Sequence, residues 1–362
     1  MAGVPGIGVM IRSLANGGAE KQSVLLAQAL QAHYPTFLII LDKQPQHPKH
    51  WKKIQQEGIQ AIFLEGAVWQ KIGQFTQLIR QHSLQHLFCF LPSDTLMATI
   101  AGRLSGVDPT IYGGIRNDKI PWRKKLALKW LHNYVLDHSI SNCHAGVSNL
   151  VKEGFNRDKF IVIHNALERI PENLQKEPSE AVRIVTVGRF VAQKGFHQAL
   201  RIMQYLRNQI GVTNFTYTII GYGKLEAEIR QMIIDLGLTS HVQLLVNPDN
   251  VLADLSRSDI YLCTSSFEGL SNAVMEAMNC RLPIVATEVG DNNYLVKPEK
   301  NGYLHNIQDV PGMAGSLATL TANPSLRVAY GENSRQIIQE RFTFSAFQKK
   351  YLQLLNTETV SV

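Results

Sequence analysis

The chain has 362 residues, of which 45% are hydrophobic and 18% charged, with a formal net charge of +7. That length suits two domains of ordinary size, and the balance excludes collagen-like, disordered and disulfide-dense chains. Residues 1–170 hold 19 Lys+Arg against 11 Asp+Glu and residues 171–362 hold 17 against 18, so the basic surplus, whether a solvated face or a surface for an anionic partner, belongs to the first half.

The opening MAGVPGIGVM has no basic segment ahead of an apolar run, and no apolar stretch reaches membrane-spanning length, so neither a secretory leader nor a spanning helix is expected. Cys89, Cys143, Cys263 and Cys280 are scattered and form no CxxC pair. A reducing cytoplasm is therefore expected, and no zinc site.

The first strand is expected in GIGVMIRSL (residues 6–14). The turn ANGG and a helical run AEKQSVLLAQALQA follow it. TFLIIL (36–41), AIFL (61–64), LFCF (87–90), TIYG (110–113) and HSISNC (138–143) continue the strands, with helical patterns between most of them. Such alternation predicts a parallel, doubly wound α/β sheet. A polar Glu- and Pro-rich stretch, ERIPENLQKEPSE (168–180), reads as a linker. The alternation then restarts with RIVTVG (183–188), FTYTIIG (215–221), VQLLV (242–246), IYLC (260–263) and LPIVAT (282–287). The expected organisation is two tandem Rossmann-like domains facing a cleft: a basic N-terminal domain over 1–170, a second domain over 171–344, and a helix over 345–362 returning to the first domain.

Ligands of open α/β sheets bind outside the carboxyl ends of the strands, and the polar motifs fall there. ANGGAE follows the first strand, so Gly17 and Gly18 offer a tight turn at a helix start where N–H groups meet an anion. GRFVAQKG places Arg189 and Lys194 on one loop, able to converge on a diphosphate. The GYG turn (Gly221, Gly223) permits close approach of backbone to a ligand. In CTSSFEGLSNAVMEAM a strand end leads through Glu268, Gly269, Leu270 and Ser271 into a helix carrying Glu276. A helix start attracts phosphate, so the two carboxylates either cap that helix or meet hydroxyl groups. Phosphate and polyol together point to a sugar nucleotide.

These motifs resemble the retaining glycosyltransferases of the GT-B fold, family 4, also called glycosyl transferases group 1. The resemblance rests on GGAE, GRFVAQKG, GYG, SSFEGLSNAVMEAMNCRLPIVATEVGDNNYLV and KNGYL, in that order along nearly the whole chain. It implies that Arg189 and Lys194 hold the donor diphosphate and that Glu268 approaches the donor sugar. Gly269, Leu270 and Ser271 would bind sugar and phosphate through their backbone, with Gly221 and Gly223 also on the donor side. Glu276 would take the ribose hydroxyls, the base would lie near Leu245 and Val246, and Gly17 and Gly18 would close the site from the other domain. It implies no metal and no other cofactor, the nucleotide sugar (UDP-linked by expectation) being a co-substrate. The product would be a hexose or N-acetylhexosamine joined to a glycan or lipid-linked acceptor of a cell-surface polysaccharide. Where relatives carry a histidine, this chain reads YGGIRND, so Arg116, Asn117 and Asp118 are the acceptor-side candidates, with His144 as an alternative. A binding module without turnover and a sugar-nucleotide epimerase are the competing readings; nucleic acid is not an expected partner, since no module for it is recognisable.

PWRKKLALKWLHNY (121–134) interleaves Arg123, Lys124, Lys125 and Lys129 with Trp122, Leu126, Trp130 and other apolar residues. The ordinary expectation puts Leu126 and Trp130 on the core face of a helix and the lysines in solvent. The alternative is a basic amphipathic helix at an anionic membrane, which would station the protein at the inner face of the cytoplasmic membrane.

Overall fold

A computed structural model of the chain describes residues 4–15, 17–116, 120–167 and 179–359. The chain divides into two compact units, one of Met1–Ala166 with Phe344–Val362 and one of Leu167–Thr343.

In the first unit the elements run β1 (Gly6–Ile11), α1 (Gly18–Gln31), β2 (Thr36–Ile40), α2 (Pro48–Gln56), β3 (Gln60–Phe63), α3 (Val68–Gln81) and β4 (Leu84–Cys89). They continue as α4 (Pro92–Ser105), β5 (Thr110–Gly114), α5 (Trp122–Tyr134), β6 (His138–Ser141), α6 (His144–Lys152) and β7 (Phe160–Val162). The seven strands lie parallel in the order β3-β2-β1-β4-β5-β6-β7. Their near-continuous apolar runs follow from burial of both faces. Ile7, Val9 and Ile11 enter one core with Val24, Leu25 and Leu30 of α1, whereas Met10 enters the opposite core with Phe75 of α3, Ala98 of α4 and Leu131 of α5.

The second unit runs β8 (Val182–Val187), α7 (Phe196–Asn208), β9 (Phe215–Gly221), α8 (Glu226–Asp235), β10 (Val242–Val246), α9 (Val251–Arg257) and β11 (Ile260–Cys263). It goes on through α10 (Asn272–Asn279), β12 (Ile284–Thr287), α11 (Asn292–Leu295), β13 (Gly302–His305), α12 (Val310–Ala322) and α13 (Pro324–Arg341). Its parallel order, β10-β9-β8-β11-β12-β13, repeats that of the first unit less one strand. The last helix, α14 (Phe344–Thr359), belongs to the first unit. Its Phe347, Tyr351 and Leu355, spaced one turn apart, are buried in the core shared with α1, and Gln348 Nε2 donates to Ala29 O at 2.7 Å.

The first strand is shorter than its apolar run suggests: it ends at Ile11, and Leu14 makes only an isolated bridge to Gln46. Two short strands, β7 and β13, add to those expected from the sequence. Most of the 168–180 stretch lies outside the described residues.

Candidate functional site

In a doubly wound sheet the chain leaves in opposite directions on either side of the first strand, and the crevice at that reversal receives ligands. In the second unit the reversal falls between β8 and β11. The loops that follow these two strands carry GRFVAQKG and SSFEGLS.

After β8 the chain passes Gly188 and Arg189, buries Phe190 completely, and makes a 3-10 turn at Ala192–Lys194 before α7. Phe190 meets Phe196 edge-on, with ring centroids 5.3 Å apart, which anchors the loop to the core. Arg189 is exposed and Lys194 is half-buried. Lys194 turns toward the β11 loop and its Nζ donates to Glu268 Oε1 at 2.5 Å. The pair is sheltered, with side-chain exposures of 17% and 9%. Ser265 Oγ donates to the same carboxylate oxygen at 2.6 Å.

A web of further bonds fixes this pair. Ser266 N donates to Gln193 O at 2.8 Å, and Gln193 Nε2 to Phe267 O at 2.8 Å. Thr264 Oγ1 lies 3.0 Å from the carbonyl oxygens of both Lys194 and Gly195, and Thr287 Oγ1 donates to Ser265 O at 2.6 Å. From the loop after β12, Asp291 N donates to Gly269 O at 3.0 Å. There Gly290 has φ +55, and an added Cβ would collide with Glu268 O and lie 2.6 Å from Gly269 O. Only glycine meets both demands.

Gly269, Leu270 and Ser271 lead into α10, with Ser271 as N-cap. Its side chain makes no cap bond, so the first N–H groups of α10 are not closed off by it. Glu276 sits in α10, beyond the first turn. Burial pushes the Tyr261 hydroxyl well above its ordinary range, and the charges of Cys263, Glu268 and Glu276 add to the shift. Burial likewise raises the Cys263 thiol, and the Glu268 charge adds.

The GYG turn has a role the sequence reading missed. Phe190 N donates to Tyr222 O at 2.6 Å, an added Cβ on Gly221 would collide with Gly188 O, and one on Gly223 would lie 2.7 Å from Phe190 O. These glycines admit the neighbouring GRF loop, which is a structural reason for them beside the expected approach to a ligand. Leu245 and Val246 end β10 and are half-buried. The residues overlooked in the sequence are Gln193, Thr264, Ser265 and Gly290, whose roles lie in contacts between distant loops.

In the first unit, Gly17 is the N-cap of α1 and Gly18 its first residue, with no side-chain cap bond. The Glu20 carboxylate lies against Gly17. Arg116 follows β5; its Nη1 donates to Asn165 Oδ1 at 2.9 Å and its guanidinium lies over the Phe90 ring, 4.2 Å from the centroid. Burial lowers its pKa. Asn117 and Asp118 lie outside the described residues. His144 opens α6, with its ring edge-on to His164 at 5.1 Å between centroids. Among the described residues there is no group of three or more His, Cys, Asp and Glu arranged to hold a metal ion, and the four cysteines are buried thiols outside any disulfide.

Two parallel, doubly wound units in one chain define the two-domain GT-B class of fold. Residues 168–337, a little under half of the chain, match the family described as glycosyl transferases group 1, and this match, with the relatives and the fold, supports a group 1 GT-B glycosyltransferase. The lipopolysaccharide core biosynthesis glycosyltransferase LpsE of Rhizobium meliloti is 28% identical over 178 residues, 49% of this chain and 51% of that protein. The matched region thus spans about half the length of that relative, and 50% of LpsD from the same organism. An N-acetylgalactosamine-N,N'-diacetylbacillosaminyl-diphospho-undecaprenol 4-alpha-N-acetylgalactosaminyltransferase of Campylobacter jejuni is 22% identical across 91% of this chain and 93% of its own. Among solved structures, Anabaena HepE in complex with UDP superposes with a TM-score of 0.83 over 98% of this chain and 100% of that one, at 16% identity. At that identity the likeness concerns the fold.

Proposed function

We propose that the chain is a retaining glycosyltransferase. It moves a hexose or N-acetylhexosamine from a nucleotide diphosphate sugar, with UDP as the nucleotide, to a hydroxyl of a glycan or lipid-linked acceptor in cell-surface polysaccharide biosynthesis. The observation that carries this reading is the sheltered Lys194–Glu268 pair at the β8–β11 reversal, beside exposed Arg189 and the start of α10. A cation for the diphosphate and a carboxylate for sugar hydroxyls stand within one hydrogen bond of each other. The relatives support it, being named for lipopolysaccharide core synthesis and for transfer to a diphospho-undecaprenol-linked glycan, and HepE was crystallised with UDP.

In this reading the acceptor oxygen attacks the anomeric carbon on the face from which the diphosphate departs. The bond from that carbon to the diphosphate oxygen breaks, the new glycosidic bond forms on the same face, and the acceptor proton passes to the departing phosphate oxygen. Lys194 and Arg189 offset the charge that grows on the diphosphate. Glu268 orients the sugar and does not become bonded to it. No step requires a metal, and four buried thiols outside any disulfide suit a cytoplasmic location.

A panel of UDP-, GDP- and ADP-sugars tests the reading by thermal shift and by slow hydrolysis. A cognate donor at a hundredfold excess over its Kd stabilises by about 2.7 kcal/mol. Transfer or hydrolysis that persists in EDTA, with the anomeric configuration kept, is the expected result. Binding without turnover in the presence of acceptor extracts would instead make the chain a sugar-nucleotide-binding module, and inversion would remove the mechanism.

A further inference from the structure

Helix α5 does not put its expected face into the core. Leu128, Leu131 and His132 are the buried residues, while Trp122, Leu126, Trp130 and Tyr134 are exposed at 67%, 58%, 59% and 75%. The sequence expectation that Leu126 and Trp130 face the core is therefore corrected. The four exposed residues recur every fourth position, so they form one stripe along the solvent side, about 18 Å long at 1.5 Å per residue.

Cations border that stripe. At about 100° per residue, Lys125 and Lys129 fall along one edge and Arg123 along the other. Lys125 pairs with Glu153 at 2.8 Å and Lys129 Nζ donates to Glu153 O at 2.8 Å, which ties α5 to the end of α6. The Arg123 guanidinium lies 5.2 Å from the Trp122 ring centroid, and Lys124 is exposed. The neighbouring helices repeat the theme, since Val68 and Trp69 of α3 and Leu96 and Leu104 of α4 are exposed as well. Helices α3, α4 and α5 pack on the same face of the sheet. That layer holds eight of the nine exposed large hydrophobic residues found among the described residues of this unit; the other is Val4. The unit carries 20 Lys+Arg against 11 Asp+Glu, whereas the second carries 16 against 18.

We propose that the α5 stripe docks on an anionic lipid surface. Trp and Tyr favour the boundary between headgroup and hydrocarbon, and flanking cations add attraction to anionic headgroups. Among the described residues no helix is long and apolar enough to cross a membrane, so the contact is a surface one. A second copy of the chain is a poorer occupant, because a two-fold contact through this stripe sets its cations against their own copies. The proposal does not depend on the donor chemistry assigned above.

The test is sedimentation of the full chain with sucrose-loaded vesicles of neutral phosphatidylcholine, or of phosphatidylcholine with about 30% phosphatidylglycerol. Binding is expected on the anionic vesicles at low salt, at least tenfold weaker on neutral ones, and largely lost at about 0.5 M salt. Trp122→Ser with Trp130→Ser is expected to abolish it. Arg123→Gln is expected to weaken it about fivefold, the effect of one cation near the surface. All three substituted side chains are exposed, so melting temperature and donor-induced thermal shift should not move. Absence of binding at low salt overturns the proposal, as does binding that both variants retain. Self-association that the tryptophan variant abolishes while vesicles do not bind assigns the stripe to a second copy instead.

Discussion

Pairing Lys194→Met with Glu268→Gln in a double-mutant cycle measures the contact on which the donor site is built. The charges lie within about 4 Å of each other, and at an effective permittivity of about 20 they attract by about 4 kcal/mol. Sheltering both groups from water takes back a large share, so the expected coupling is about 2 kcal/mol. Lys194→Met alone leaves the Glu268 carboxylate with Ser265 Oγ as its remaining side-chain donor and should cost about 3 kcal/mol, toward the lower end for breaking a buried pair. Glu268→Gln should cost less, since an uncharged amide still accepts from Ser265 and the lysine can turn toward solvent. For a unit of this size each kcal/mol moves the melting temperature by roughly 2–4 °C, so thermal unfolding of the full chain resolves the cycle. Turnover separates structure from chemistry. Removing the cation should lower kcat by about two to three orders of magnitude, and the double variant should recover part of the stability with none of the rate. A coupling below about 0.5 kcal/mol, or near-normal transfer by the lysine variant, would refute the reasoning.

Gly290→Ala should destabilise the second unit by more than 2 kcal/mol, about 1–2 of it from the left-handed backbone and the rest from collision with Glu268 O, and it should weaken donor binding. Gly58→Ala, also at positive φ but with open space around it, is the control and should cost only about 1 kcal/mol; equal losses in the two variants would show that the loop contact contributes nothing. Glu276→Ala should weaken UDP binding by about 10- to 100-fold with little change in melting, and should erase discrimination between UDP and its 2′-deoxy analogue in calorimetry; surviving discrimination would take the ribose away from Glu276. Asp94, buried at the start of α4, has its pKa raised to about 7, chiefly by burial. The folded state therefore prefers the protonated acid, a preference present in full below the unfolded pKa of 3.8 and lost as the pH rises through about 7. The parent should lose up to about 4 kcal/mol over that window relative to Asp94→Asn, so parallel pH–stability profiles for the two proteins would contradict this account.

The fold was legible because strands buried on both faces read as unbroken apolar runs, and helices between them force a parallel sheet. The strands that escaped notice, β7 and β13, have three and four residues and too little pattern to register. The site was legible only in pieces. GRFVAQKG and SSFEGLS stand at strand ends, but Lys194 and Glu268 are 74 positions apart, and nothing local announces that they meet. Gly290 was quoted within a motif without a role, because its role is a collision avoided with a loop more than twenty residues earlier.

Helix α5 shows a different kind of failure. Its sequence carries two apolar stripes, one through Trp122, Leu126, Trp130 and Tyr134 and another through Leu128 and Leu131, and periodicity alone does not say which one the sheet takes. The sheet takes the smaller, aliphatic pair, adjoining Phe155 and Phe160 on one side and Ala98 and Phe75 on the other. Two tryptophans then remain in solvent among cations, where burying them against some surface recovers apolar free energy that folding did not use. The exposure that the sequence could not assign is thus the observation that gives the helix a task of its own.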